Sequence, residues 1–341
     1  MSAIALLWLF VAVFLEVAAP VAYGSAQCPK VLYMDDVNIT KMGFGPEDAK
    51  LWQEAGINGV FIEGLMPAWQ IPLCTNYCAD RIELIARFQK LFGEHGITDN
   101  FMYVTIPRPG EPPFHWESQN DRDQVVRNFR TGAASARKAG LKGIALDLES
   151  YTKGFWNRND TIPNKPELIQ SLGHAVGQAI KEGYPDATVV VLPEVLMYEN
   201  DPSYELTPRF WQGLIETHFK ELVIGTEKSY LGPHPDLLVP HVREHFGLSL
   251  QSAGVNLNSV SVALGLWPEG GEIYNQREPK ETPAALYDRL RESFSANQPY
   301  VWIYWNTKRA KTWRAQTFDD RLLRYFPPIR RARQACADAV H

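Results

Sequence analysis

From Lys30 onward the chain repeats one pattern of apolar and polar positions: a short apolar run, a polar loop, an amphipathic stretch ending near glycine, and then the next apolar run. The runs Val31–Asp36, Gly59–Glu63, Phe101–Ile106, Gly143–Glu149, Thr188–Glu194, Leu222–Glu227, Ser259–Leu264 and Tyr300–Asn306 predict eight strands. Between them, Pro46 ahead of Glu47-Asp48-Ala49-Lys50-Leu51-Trp52 and Gly56 behind it predict a helix with proline in its first turn and glycine past its end. The same ending recurs at Glu94-His95-Gly96, Lys138-Ala139-Gly140 and Ser252-Ala253-Gly254. Further helices are predicted over Pro166–Glu182, Pro208–His218, Pro235–Leu250, Pro283–Ala296 and Asp319 to about Asp338, the last interrupted by Pro327-Pro328. Strands alternating with helices build a parallel sheet. Asp35-Asp36-Val37-Asn38 follows the first strand where an open doubly wound sheet would want a glycine-rich turn. The expected fold is therefore α/β, a (β/α)8 barrel in a single domain over residues 27–341.

The segment Gly143-Ile144-Ala145-Leu146-Asp147-Leu148-Glu149 organises the rest. Ile144, Leu146 and Leu148 share one parity and Ala145, Asp147 and Glu149 the other, so a strand here buries branched residues on one side and turns carboxylates to the other at its C-terminal end. In a barrel that end is where catalytic groups gather. Other strand ends carry acids too: Asp35 and Asp36 on the first, Glu63 on the second, Glu194 on the fifth and Glu227 on the sixth. A lone acid at a strand end reads as a loop anchor or cap. Several brought to one rim repel each other and push their pKa values apart, an arrangement suited to a reaction needing both an acid and a base.

Composition narrows the choice. The chain has 341 residues, 45% of them hydrophobic, 21% charged, with a net charge of −5, the profile of a globular enzyme-sized protein with no electrostatic reason to bind nucleic acid. The apolar run Ala3–Leu15, followed by small residues up to Gly24-Ser25-Ala26, reads as a signal peptide over 1–26, so the mature protein is expected to be secreted or periplasmic. After it, no run reaches the length of a membrane span. In an oxidising compartment Cys74 could pair with Cys78, and Cys28 with Cys336 to tie the two ends of the barrel together. Oligomeric state is not legible.

Two chemistries use a ring of carboxylates. Metal sites usually recruit histidine as well for transition metals, and no histidine here stands at a predicted strand end, so neither metal nor cofactor is expected. Glycoside hydrolysis needs one protonated and one ionised carboxyl, with rings to pack the sugar's C–H faces. Trp69, Trp116, Trp156, Trp267 and Trp305 all lie near strand ends. The expected catalytic residues are Glu149 as general acid, Asp147 as its partner or the nucleophile, and Glu227 or Glu194 in the complementary role. Asp35, Asp36, Glu63, Tyr151, Trp156, Tyr230, Trp267, Trp305 and Asn306 are expected to bind an oligo- or polysaccharide. The rivals are a non-catalytic carbohydrate-binding barrel and a metal-dependent hydrolase or lyase on the same fold.

The Gly143–Glu149 segment resembles the fourth strand of (β/α)8 glycoside hydrolases, and Asp147-Leu148-Glu149 resembles the end of the chitinase-type D-x-x-D-x-D-x-E signature. That resemblance implies a glycosidase in which Glu149 is the acid and Asp147 orients the substrate. Lys142 and Ala145 stand at the earlier acidic positions of the signature, and Thr226-Glu227 stands where chitinases carry Tyr-Asp on the sixth strand. The resemblance is therefore to the superfamily, with no specific family matched. Other barrel glycosidases place a nucleophilic Asp on the fourth strand and the acid on the fifth or sixth. Asp147 with Glu194 or Glu227 is similar to that plan.

Overall fold

The structure, a computed structural model, describes residues 28–38, 45–63, 65–66, 68–71, 78–150, 152, 154–158, 161–193, 202–231, 238–244, 260–268, 281–296, 298–304 and 323–340, with the side chains of 35–38, 78 and 231 outside that description. Eight parallel strands close into one barrel in chain order: β1 (Lys30–Asn38), β2 (Gly59–Glu63), β3 (Phe101–Thr105), β4 (Gly143–Asp147), β5 (Thr188–Leu192), β6 (Glu221–Thr226), β7 (Val260–Leu266) and β8 (Tyr300–Tyr304). The last strand returns to the first, with Lys30 opposite Tyr300 and Met34 opposite Tyr304. Around them run α1 (Pro46–Ala55), α2 (Cys78–Gly93), α3 (Gln119–Lys138), α4 (Lys165–Gly183), α5 (Thr207–Ile215), a helical stretch α6 at 238–244, α7 (Pro283–Ser295) and α8 (Phe326–Val340). The expected (β/α)8 barrel is the fold observed.

Strand parity divides the core into two bodies. Ile144, Leu146 and Leu148 of β4 and its loop belong to the large layer between strands and helices, with Val31, Val60, Val104, Val189 and Ile224. Ala145 belongs to the smaller body inside the barrel, with Leu32, Phe61, Phe101, Tyr103, Val190, Leu192, Val223, Ala263, Tyr300 and Trp302. Gly225 and Gly265 let the largest of these close the interior. A Cβ on Gly225 would meet Leu192 Cδ2 at 1.8 Å, and one on Gly265 would meet the Trp302 ring at 2.6 Å.

At the N-terminal end of the barrel, Asp99 is 2% exposed. Its carboxylate takes the Lys30 ammonium at 2.8 Å on both oxygens and the Tyr300 hydroxyl at 2.9 Å. Such an arrangement at the bottom face serves stability.

One helix expectation and two strand ends are corrected. Pro327-Pro328 do not interrupt the last helix but open it, at the second and third residues of α8, where a missing N–H has no intrahelical acceptor to lose. Strands β4 and β5 end two residues before the acids Glu149 and Glu194, because the chain leaves the ladder at Leu148 and Pro193. A disulfide joins Cys28, just ahead of β1, to Cys336 in α8. Beside it Arg333 reaches from α8 to the backbone oxygen of Gly56 at 2.9 Å and to the Asn58 side chain. The expected 1–26 signal segment and Cys74 lie outside the described residues.

Candidate active site

Asp147 ends β4 on its inward parity, in register with Thr105 of β3 and Leu192 of β5. Its carboxyl is 4% exposed. One oxygen, Oδ2, accepts the hydroxyl of Tyr103 at 2.5 Å, and the other, Oδ1, accepts the backbone N–H of Glu149 at 2.8 Å. The second bond explains how Glu149 is held: the chain turns out of the strand around Asp147, and Glu149 sits half-exposed two residues above it. Burial, and then the charge of Glu149, push Asp147 up from the ordinary aspartate value to about 7, against the two donated bonds and the Arg108 guanidinium, which favour the anion. Asp147 therefore keeps its proton to near neutral pH.

Glu227 follows β6 and is 7% exposed. The turn after it, Lys228–Leu231, is a single 3-10 turn in which the Tyr230 N–H donates to the Glu227 carbonyl at 2.8 Å. Ser229 fastens this turn to β7, its hydroxyl donating to the Gly265 carbonyl at 2.6 Å, and Arg289 of α7 donates to the Ser229 carbonyl at 2.5 Å. Tyr230 is thereby placed among the acids. Burial, then Glu227, Tyr304 and Glu149, hold its hydroxyl well above the usual phenol range. Acids from β4 and β6 thus act on one phenol at the mouth of the barrel.

Aromatic rings form a wall beside them. Tyr230 meets Trp302 and Trp267 edge to face, each at 5.4 Å between centroids, and Trp267 meets Tyr304 at 5.4 Å. Trp267 is half-buried, and its indole Nε1 has no hydrogen-bond partner among the described residues. Glu63, closing β2, is half-exposed and close enough to add to the raised pKa of Tyr103, whose larger causes are burial and Asp147.

The structure brings together Asp147, Glu149, Glu227, Glu63, Tyr230 and Trp267 of the expected residues. Trp156 is a correction. It is fully buried in the layer outside the strands, with its Nε1 donating to the Leu148 carbonyl at 2.9 Å and its ring against Trp69, Trp116, Phe155 and Phe210. It offers no face to a sugar and instead supports the loop that carries Glu149. Tyr151, Glu194, Trp305, Asn306 and the side chains of Asp35 and Asp36 lie outside the described residues.

Four residues were not singled out from sequence. Tyr103 bonds Asp147, Arg108 lies near it, and Tyr304 completes the wall. Tyr204, after β5, brackets Ser150 by accepting its N–H at 3.0 Å and donating to its carbonyl at 3.1 Å. None of them carried a signal in its own stretch of sequence; the place of Tyr103 beside Asp147 comes from the register of β3 on β4. Among the described residues, no group of three or more His, Cys, Asp or Glu side chains is placed to hold a metal ion.

No family model matches the chain, and no curated protein matches it. Solved structures do. The fold is similar to that of an exo-β-1,4-mannosidase from an Opitutaceae bacterium, with 15% identity, a TM-score of 0.51, and 93% of this chain covering 61% of that one. It is similar to a GH5_18 protein from Streptomyces cattleya in complex with Manβ1-4GlcNAc, with 11% identity, a TM-score of 0.52, and 90% of this chain covering 80% of that one. It is also similar to a glycoside hydrolase family 5 enzyme from Prevotella bryantii in complex with a xyloglucan oligosaccharide, with 10% identity, a TM-score of 0.52, and 89% of this chain covering 95% of that one. Each likeness is one of fold.

Proposed function

We propose that the chain is a glycoside hydrolase cleaving O-glycosidic bonds at the C-terminal mouth of the barrel. The observation that carries the reading is the placing of Asp147, Glu149 and Glu227 together at the mouth of the barrel, with Glu149 and Glu227 both acting on the Tyr230 phenol, beside the wall of Tyr230, Trp267 and Tyr304. Glu149, half-exposed above Asp147, is the general acid. It gives its proton to the leaving oxygen as the C–O bond breaks and the bonding pair stays on that oxygen. Glu227 is the complementary carboxylate, facing the positive charge that develops at the anomeric carbon as nucleophile or as base toward water. Asp147 orients Glu149 by accepting its backbone N–H.

The substrate class is an oligo- or polysaccharide. The half-buried ring of Trp267 supports it, as do the oligosaccharides held by the Streptomyces and Prevotella proteins of like fold. The disulfide Cys28–Cys336 supports an oxidising, extracytoplasmic location, with 1–26 as the signal that directs the chain there. Among the described residues no helix is long and apolar enough to cross a membrane.

The test is a screen against aryl glycosides and polysaccharides, with and without chelator, beside Glu149→Gln. Glycosidase action predicts chelator-insensitive release that falls by ~10²–10⁴-fold in the variant at unchanged Tm. Near-full turnover in the variant would move the acid elsewhere. Saccharide binding with no turnover by either protein would make this a binding barrel, and loss on chelation with recovery on adding a divalent ion would make it a metal enzyme.

A further inference from the structure

We propose that Arg289 is a positioning residue, a guanidinium outside the barrel that fixes Tyr230 and Trp267 relative to each other and to Glu227; this rests on those three residues belonging to the glycosidase site. Arg289 stands in the middle of α7, in the layer of helices around the strands. Its two terminal nitrogens go to different loops. Nη1 donates to the Glu281 carboxylate at 3.2 and 3.3 Å, and Nη2 donates to the Ser229 carbonyl at 2.5 Å.

Each acceptor leads in one step to the mouth of the barrel. Ser229 is buried in the single turn after β6, and its hydroxyl donates to the Gly265 carbonyl, so the turn is fastened to β7 on one side and to α7 on the other. The next residue is Tyr230, whose N–H returns to the Glu227 carbonyl. Glu281 closes the connection from β7 to α7. Its N–H donates at 3.0 Å to the carbonyl of Pro268, the residue after Trp267, and its own carbonyl accepts the Tyr325 hydroxyl. Tyr230 and Trp267 then meet edge to face across 5.4 Å. One guanidinium is thus the common anchor of two loops that leave neighbouring strands, and it sets the distance between them. The side chains of Arg289 and Glu281 are only 23% and 9% exposed, so water weakens these bonds little. The forked guanidinium can reach a carboxylate and a carbonyl from separate nitrogens, whereas a lysine ammonium offers one nitrogen on a shorter reach. Near a reacting group, a misplacement of about 1 Å costs up to about 10²-fold in rate.

Removing Arg289 alone would strand the Glu281 carboxylate and destabilise the whole fold, so the test removes both charges together, Arg289→Met with Glu281→Gln. A second variant, Arg289→Lys, keeps the cation beside Glu281 and gives up the fork. The expected result is a kcat/KM per folded molecule, measured well below Tm, that falls by about 10–10²-fold in the double variant and by less in Arg289→Lys, with kcat lowered and KM raised together. A merely structural bond would move Tm and leave kcat/KM where it was, and that result overturns the proposal. The spacing of the loops is also read without substrate, by 19F NMR of protein labelled with 5-fluorotryptophan, the Trp267 signal being identified by its loss in Trp267→Phe. That signal should shift in both variants while the signal of Trp156, in the outer layer, stays in place. An unmoved Trp267 signal overturns the proposal whether or not a substrate has been found. Failure of the glycosidase reading is separate, because it shows as turnover surviving in Glu149→Gln.

Discussion

The two ends of this barrel each bury an aspartate that accepts a tyrosine hydroxyl, and they put it to opposite use. Asp99 at the N-terminal end also holds the Lys30 ammonium on both oxygens and the Thr98 hydroxyl at 3.1 Å, so its charge is matched. Asp147 at the C-terminal end has the Tyr103 hydroxyl and one backbone N–H, and the charge that acts on it most is that of another acid, Glu149. A buried carboxylate with a bonded cation stays ionised and ties strands together. One facing a second carboxylate keeps a proton near neutral pH. The difference lies in an ammonium bonded to Asp99 against a second acid acting on Asp147.

The contrast is tested most strongly by stability against pH. Folded Asp147 keeps its proton up to about pH 7, whereas an aspartate in the unfolded chain loses it near 3.9. Between those values the folded state binds more protons, so stability falls as pH rises. Asp147 contributes a fall of up to about 4 kcal/mol across that window. Urea denaturation of Asp147→Asn across the same window should lack that contribution. An identical slope in the variant would mean that folding does not raise the pKa of Asp147.

At the other end, Lys30→Met leaves the Asp99 carboxylate with hydroxyl donors alone and should destabilise the fold by about 3 kcal/mol, less than a fully buried pair because Lys30 is half-exposed. Turnover per folded molecule should be unchanged. A loss of activity at full folding would show that the two faces are coupled. The smallest effect expected is at the aromatic wall: Trp267→Ala should weaken saccharide binding by about 1 kcal/mol, with Tm little changed, as calorimetry and thermal unfolding would report.

How much of this was legible in the sequence follows from which relations are local. Each strand shows itself in its own residues, and Ile144-Ala145-Leu146-Asp147 states which side faces inward before any partner is known. Glu149 and Asp147 follow from that parity. Tyr103 does not, because Phe101-Met102-Tyr103-Val104-Thr105 reads as plain core, and its bond to Asp147 depends on the register of two strands. Trp156 failed for a related reason. A tryptophan a few residues past a strand end can face the mouth or fold back over the outer layer, and here the Leu148 carbonyl and the ring of Trp69 draw it back. Trp267 leaves its strand on the opposite course and stays beside Tyr230.

The disulfide between Cys28 and Cys336 spans 308 positions of the chain. Nearly all of the barrel is therefore a covalent circle rather than a line. A protease that nicks one surface loop between those cysteines opens the circle without dividing it, and both products stay joined through sulfur and through the closed sheet. Severing the molecule takes a cut and a reductant together.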